Sequence, residues 1–160
     1  MRLYTFVNMY LSHIQKGIQT AHVVHELFNE WVGNPQELLL HEWSTRHKTI
    51  IVLNGSDCES LSEFYNFLQT SDTHFPFAKF CEDEASLGGA LTCVGIVLPE
   101  RIYNSVSASK NPNSYWSLFG EMYNLMVPSE PRTGAKFEVF ATMTNWERDL
   151  VERLKGYKLA

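Results

Sequence analysis

From Leu3 to Leu11 aromatic and β-branched residues half-alternate with polar ones, the pattern of a strand. Ser12-His13-Ile14-Gln15 then reads as a capping box, with Ser12 as N-cap and Gln15 as its reciprocal partner, so the strand feeds a helix. Along that helix Ile14, Ile18, Ala21, His25, Phe28 and Val32 recur at three-and-four spacing, flanked by Val24 and Trp31, which predicts a buried stripe. The adjacent stripe Gln15, Gln19, His22, Glu26 has the same spacing and is wholly polar. It sets four hydrogen-bonding side chains in a row facing water or a ligand.

Gly33-Asn34-Pro35 ends this helix, and Asn34 as N-cap with Pro35 at the first helical position predicts a short second one over Gln36–Ser44. Lys48–Leu53 is a β-branched apolar run closed by Asn54-Gly55, the mark of a central strand covered on both faces. Ser56-Asp57-Cys58-Glu59 repeats the capping-box pattern ahead of an amphipathic helix carrying Leu61, Phe64, Tyr65 and Leu68. Phe75–Cys81 and Ala90–Leu98 are further strands, separated by Glu82-Asp83-Glu84 and a Gly88-Gly89 turn. Asn104–Ser114 has a loop composition. Beyond it Trp116, Phe119, Tyr123 and Met126 trace a helix, Lys136–Met143 alternates like a strand, and Thr144-Asn145-Trp146-Glu147 caps a last helix with Leu150 and Leu154 inward. Together these elements predict a single α/β domain over 1–160, with a core at 1–103 and a C-terminal extension at 104–160.

Composition changes this picture in two respects. With 13 Lys and Arg against 18 Asp and Glu, the net charge is −5, so no global attraction draws the chain to phosphate backbones; a local basic groove stays open. No run approaches the about 20 apolar residues a membrane span needs. The N-terminus passes into a strand without the basic, apolar and cleavage regions of a leader. Cys58, Cys81 and Cys93 are an odd number without a C-x-x-C pair. A soluble protein of the reducing cytoplasm is expected, with no cofactor.

Several residues carry candidate chemistry. His22 and His25 have a metal-compatible spacing, but no third ligand follows and no metal is predicted. Asp83, between Glu82 and Glu84 at a strand end, is a candidate general base or ligand-positioning group, or a solvated acidic turn. Trp31, Trp43 and Trp116 offer stacking faces or core packing. Arg46, His47 and Lys48 form the densest basic cluster, suited to phosphate contact or to a solvated strand entrance. Cys58 stands near a helix start with no legible His-Asn partner, and no cysteine nucleophile is predicted.

The succession of a strand, Gln15-Lys16-Gly17-Ile18-Gln19-Thr20-Ala21-His22, Lys48-Thr49-Ile50-Ile51-Val52-Leu53, Glu82-Asp83 and Thr92-Cys93-Val94-Gly95-Ile96 resembles the type II peptidyl-tRNA hydrolases over about two thirds of the chain. The resemblance implies a three-layer α/β/α fold with a mixed four- to five-stranded sheet. It implies a pocket near Gln19, His22, Asp83 and Thr92, and Gln15, Ser86 and Arg46 are further candidate ligand-binding residues. The chain departs from the family in two places. Gln15 stands where the family has its lysine, with Lys16 one place later, and the loop after Asp83 is short, with Ser86 as its hydroxyl.

Two principal functions follow from the resemblance and its departures. One is a non-catalytic module that holds a nucleotide-like small molecule, for example a phage protein sequestering a nucleotide immune signal. The other is an active hydrolase of the peptide–tRNA ester, acting on the tRNA 3′ end. There Lys16 would stabilise the oxyanion and Asp83 would orient water, with Gln19 and His22 holding the substrate. A third reading is a domain that forms a homodimer through an edge strand or through the helix at Trp116–Met126.

Overall fold

The computed structural model describes residues 1–69, 74–110 and 143–160. These fall into two compact units, Met1–Pro99 with Tyr157–Ala160, and Glu100–Gly156.

In the first unit β1 (Arg2–Val7) leads to α1 (His13–Trp31), α2 (Glu37–Glu42), a π-helical turn (Trp43–His47) and β2 (Ile50–Asn54). Then come α3 (Cys58–Gln69), β3 (Phe77–Cys81), the single turn α4 (Glu84–Leu87) and β4 (Leu91–Leu98). The fold is α/β with a mixed, open four-stranded sheet in the order β2-β1-β4-β3. β1 and β2 are parallel, as a helical crossover requires, while β4 runs antiparallel to both β1 and β3.

Alternation along β1 assigns the two faces of the sheet. Leu3 and Val7 join Ala78, Cys93 and Val97 in one cluster with Val23 and Leu27 of α1, Leu40 of α2 and Trp43. Phe6 points the other way, with its ring 4.5 Å from Phe64 of α3 and 4.6 Å from Tyr157. Helices therefore cover both sides. Gly95 of β4 permits the close seat of α1, because a Cβ there would lie 2.8 Å from Val23 Cγ1.

Several expectations are corrected. The first strand stops at Val7, and Asn8 turns the chain by accepting the Tyr10 N–H on its side chain. The Ser12–Gln15 capping box forms as expected, but α1 is rotated from the anticipated stripe. Its buried residues are Gln19, Thr20, Val23 and Leu27, while Ile14 is 78% and Val32 64% exposed. Counting apolar residues misassigned the face because Gln19 and Thr20 are buried with polar partners. Asn34 does not cap α2; its amide instead donates to the Glu30 carbonyl.

Ser56 has φ +66 and is no N-cap; Asp57 takes that role by accepting the Ser60 N–H. Leu61, Phe64, Tyr65 and Leu68 are buried as expected. β2 is an edge strand rather than a central one, with Ile50 41% exposed. Among the described residues its outer side meets the chain end, where Asn54 N–H bonds Lys158 O and Ala160 N–H bonds Val52 O. The fully buried strand is β4.

In the second unit α5 (Glu100–Lys110) packs against α6 (Asn145–Lys155). Asn104–Lys110, expected as a loop, is helix: Pro99 precedes its start, Glu100 lies in its first turn, and Ser105 Oγ donates to Arg101 O. The Thr144–Glu147 capping box forms, with Leu150 and Leu154 buried, and Arg101 pairs with Glu147. Residues 111–114 of the expected loop, the Trp116–Met126 helix and most of the Lys136–Met143 strand lie outside the described residues. Among the described residues no helix is long and apolar enough to cross a membrane.

Candidate functional site

β1 and β3 end, and β4 begins, at one end of the sheet, because Val7 pairs with Cys93 and Cys81 with Leu91. The polar residues of interest gather at this end in two corners, one under α1 and one under α3.

At the α1–β3 corner, Gln19 and His22 stand one helical turn apart on α1, opposite Phe80 and Glu82 at the end of β3. Gln19 is 5% exposed, and its Nε2 donates to Glu82 Oε1. The carboxylate fixes the orientation of the amide, since only the NH2 end can donate. The other end, Oε1, is buried and has no hydrogen-bond partner among the described residues. An orphaned buried acceptor costs about 1–3 kcal/mol. Beside this pair the exposed His22 ring stacks on Phe80, with centroids 4.3 Å apart and planes at 8°.

Asp83 and Ser86 lie next in the chain but serve one another. Asp83 is the N-cap of α4: its Oδ1 accepts the Ser86 N–H at 2.6 Å, and hydrogen bonds from Ser86 hold its carboxyl below the usual carboxylate range. Gly88 closes the turn at φ +59 and Gly89 follows at φ +68, conformations that favour glycine. The Gly88-Gly89 pair is thus explained as the end of α4 and the entry to β4.

The remaining predicted residues separate. The Gln15 side chain accepts the Ser12 N–H in the capping box. Lys16 is half-buried on the first turn of α1, one turn before Gln19. Thr92 alternates with Cys93, which faces α1, so its side chain belongs to the other face of the sheet. Its hydroxyl lies 3.4 Å from Phe80 O, and its carbonyl accepts the Asn8 N–H. Arg46 lies in the π turn before β2, at the opposite end of the sheet. Trp31 and Trp43 act as anchors, donating to Phe77 O at 2.7 Å and Thr49 O at 2.9 Å; Trp116 lies outside the described residues. His22 and His25 join no group of three potential metal ligands among the described residues.

The α3 corner contains residues that the sequence did not single out. Asn8 is 6% exposed; its Oδ1 accepts Tyr10 N–H and its Nδ2 donates to Cys58 Sγ at 3.2 Å. Glu82 was visible only as part of an acidic run, and Phe80 only as a strand residue. Their opposition to Gln19 and His22 comes from the sheet, which no local spacing encodes. No protein-family model and no curated protein sequence matches the chain.

Proposed function

We propose that the protein is a non-catalytic binding module on a type II peptidyl-tRNA hydrolase-like fold, holding a nucleotide-like small molecule at the α1–β3 corner. The observation that carries this reading is the His22–Phe80 ring stack beside the Gln19–Glu82 pair. An exposed flat ring gives a base a surface to stack on, worth about 1–3 kcal/mol. The adjoining polar pair supplies edge contacts. Lys16, one turn away on the same side of α1, supplies positive charge for a phosphate.

The same geometry disfavours the hydrolase. In the hydrolase Asp83 would orient the attacking water, and here its Oδ1 is engaged by the Ser86 N–H as the cap of α4. Ser86, the residue that carries the one hydroxyl of the short loop, gives its backbone N–H to that carboxylate. Gln15 occupies the family's lysine position and is engaged in a helix cap.

The test has two arms. In thermal shift with mononucleotides, a ligand at one hundred times its dissociation constant should raise stability by about 2.7 kcal/mol. A His22→Ala variant should lose most of that shift. In a single-turnover assay on a peptidyl-tRNA mimic, the wild type should release no peptide. Cleavage that disappears in Asp83→Asn would replace the binding reading with the hydrolase one.

A further inference from the structure

The polar side chains next to the ring stack are an amide and a carboxylate. Glu82 Oε1 is taken by Gln19 Nε2, which leaves Glu82 Oε2 without a donor among the described residues. The orphaned Gln19 Oε1 lies on the same amide. Of these acceptors the half-exposed Glu82 carboxylate is the one open to a ligand, because Gln19 Oε1 is fully buried, and an ionised carboxylate can only accept.

Position adds to this. Gln19 and His22 are three apart on one side of α1, and Phe80 and Glu82 are two apart at the end of β3, so the ring pair and the amide–carboxylate pair run side by side. A base stacked on this ring pair would have the Glu82 carboxylate, held by Gln19, as its neighbouring acceptor.

Resting on the nucleotide-binding reading above, we infer that the base held there is guanine. Guanine presents two adjacent donors, N1–H and the N2 amine, to a carboxylate. Adenine and cytosine place a ring-nitrogen acceptor beside their single amine, and that lone pair would face a carboxylate oxygen. Uracil offers one N–H between two carbonyl acceptors. Leaving polar groups of the site unpaired is what makes this kind of selection strong. The Gln19 bond holds the Glu82 carboxylate in place before the ligand arrives.

The experiment is calorimetric titration of the full chain with GMP, IMP and AMP, with melting curves of every variant. GMP should bind at least about tenfold more tightly than AMP, the lower end of what a bidentate base contact supplies. IMP keeps N1–H but lacks the N2 amine and should fall between them. Glu82→Gln introduces a side-chain donor and should bring GMP and AMP within about threefold, whereas His22→Ala should weaken both alike. If AMP binds as tightly as GMP to the wild type, the guanine assignment is overturned and nucleotide binding stands. If the folded protein binds none of the three, both readings fall. A GMP preference that survives Glu82→Gln would also overturn the assignment.

Discussion

The two corners at the same end of the sheet are built from similar parts and differ in one respect. Under α3, the buried amide of Asn8 uses both ends, on Tyr10 N–H and Cys58 Sγ, and Asp57 closes the first turn of α3 through Ser60. Under α1, the buried amide of Gln19 uses one end only. Buried polar groups in folded proteins are nearly always paired, and an exception calls for an explanation such as a ligand contact. The difference teaches that burial alone does not mark a site here. Asn8 is as buried as Gln19 and has a purely structural part.

The largest effect should come from the packing behind the satisfied corner. Phe64 is 1% exposed, in ring contact with Phe6 and Tyr157, and Phe64→Ala should cost about 3–5 kcal/mol in urea unfolding. A cost below about 1 kcal/mol would mean that α3 does not seat on β1 as described. Asn8→Ala comes next: it strips partners from Tyr10 N–H and Cys58 Sγ, with an expected loss of about 1–3 kcal/mol. If that loss is nil, the contrast between the corners disappears.

Acid should act on both corners in the same direction. Hydrogen bonds from Ser60 and Ser86 depress the carboxyls of Asp57 and Asp83. A carboxyl whose folded pKa lies below its unfolded one binds more protons when unfolded. Its contribution is fully present above the unfolded value, near 3.9, and is lost as pH falls through the lower folded value. Melting temperature should therefore fall as pH drops below about 4, with a shallower slope in Asp57→Asn and Asp83→Asn. Asp83 is exposed and Asp57 half-buried, so the effect is small and salt should reduce it. An unchanged slope in the double variant would remove the capping roles.

What could be read from the sequence follows the range of the interaction involved. The Ser12–Gln15 and Thr144–Glu147 capping boxes, the apolar face of α3 and strands β3 and β4 depend on neighbours in the chain, and were legible. The face of α1 was not, because Gln19 and Thr20 are buried by contacts to Glu82 and Thr5, sixty-three and fifteen residues away. β2 looked central because its composition is apolar, yet composition does not report which strands flank it; β4 occupies that place instead. At the site, Gln19 and His22 were found through their spacing. Glu82 and Phe80 were passed over because only strand pairing brings them opposite α1, and Thr92 was placed there although alternation puts it on the other face. Asp83 drew attention as an acid when its neighbour Glu82 makes the long-range contact.

The smallest expected effect is the most discriminating. Gln19→Met keeps the length and burial of the side chain and removes both the donor to Glu82 and the orphaned acceptor. Loss of an ordinary hydrogen bond costs about 0.5–1.5 kcal/mol, and removing an unsatisfied buried acceptor returns about as much. Glu82 is only partly buried, so water can replace the lost donor. Urea unfolding should therefore place Gln19→Met within about 1 kcal/mol of the wild type, well under the loss in Asn8→Ala. In nucleotide titrations the same variant should bind more weakly, because Glu82 is no longer held. Near-neutral stability with weakened binding identifies Gln19 as a residue kept for a ligand. A loss as large as that of Asn8→Ala, with binding intact, would mean that its amide is structural after all and that the two corners do not differ in kind.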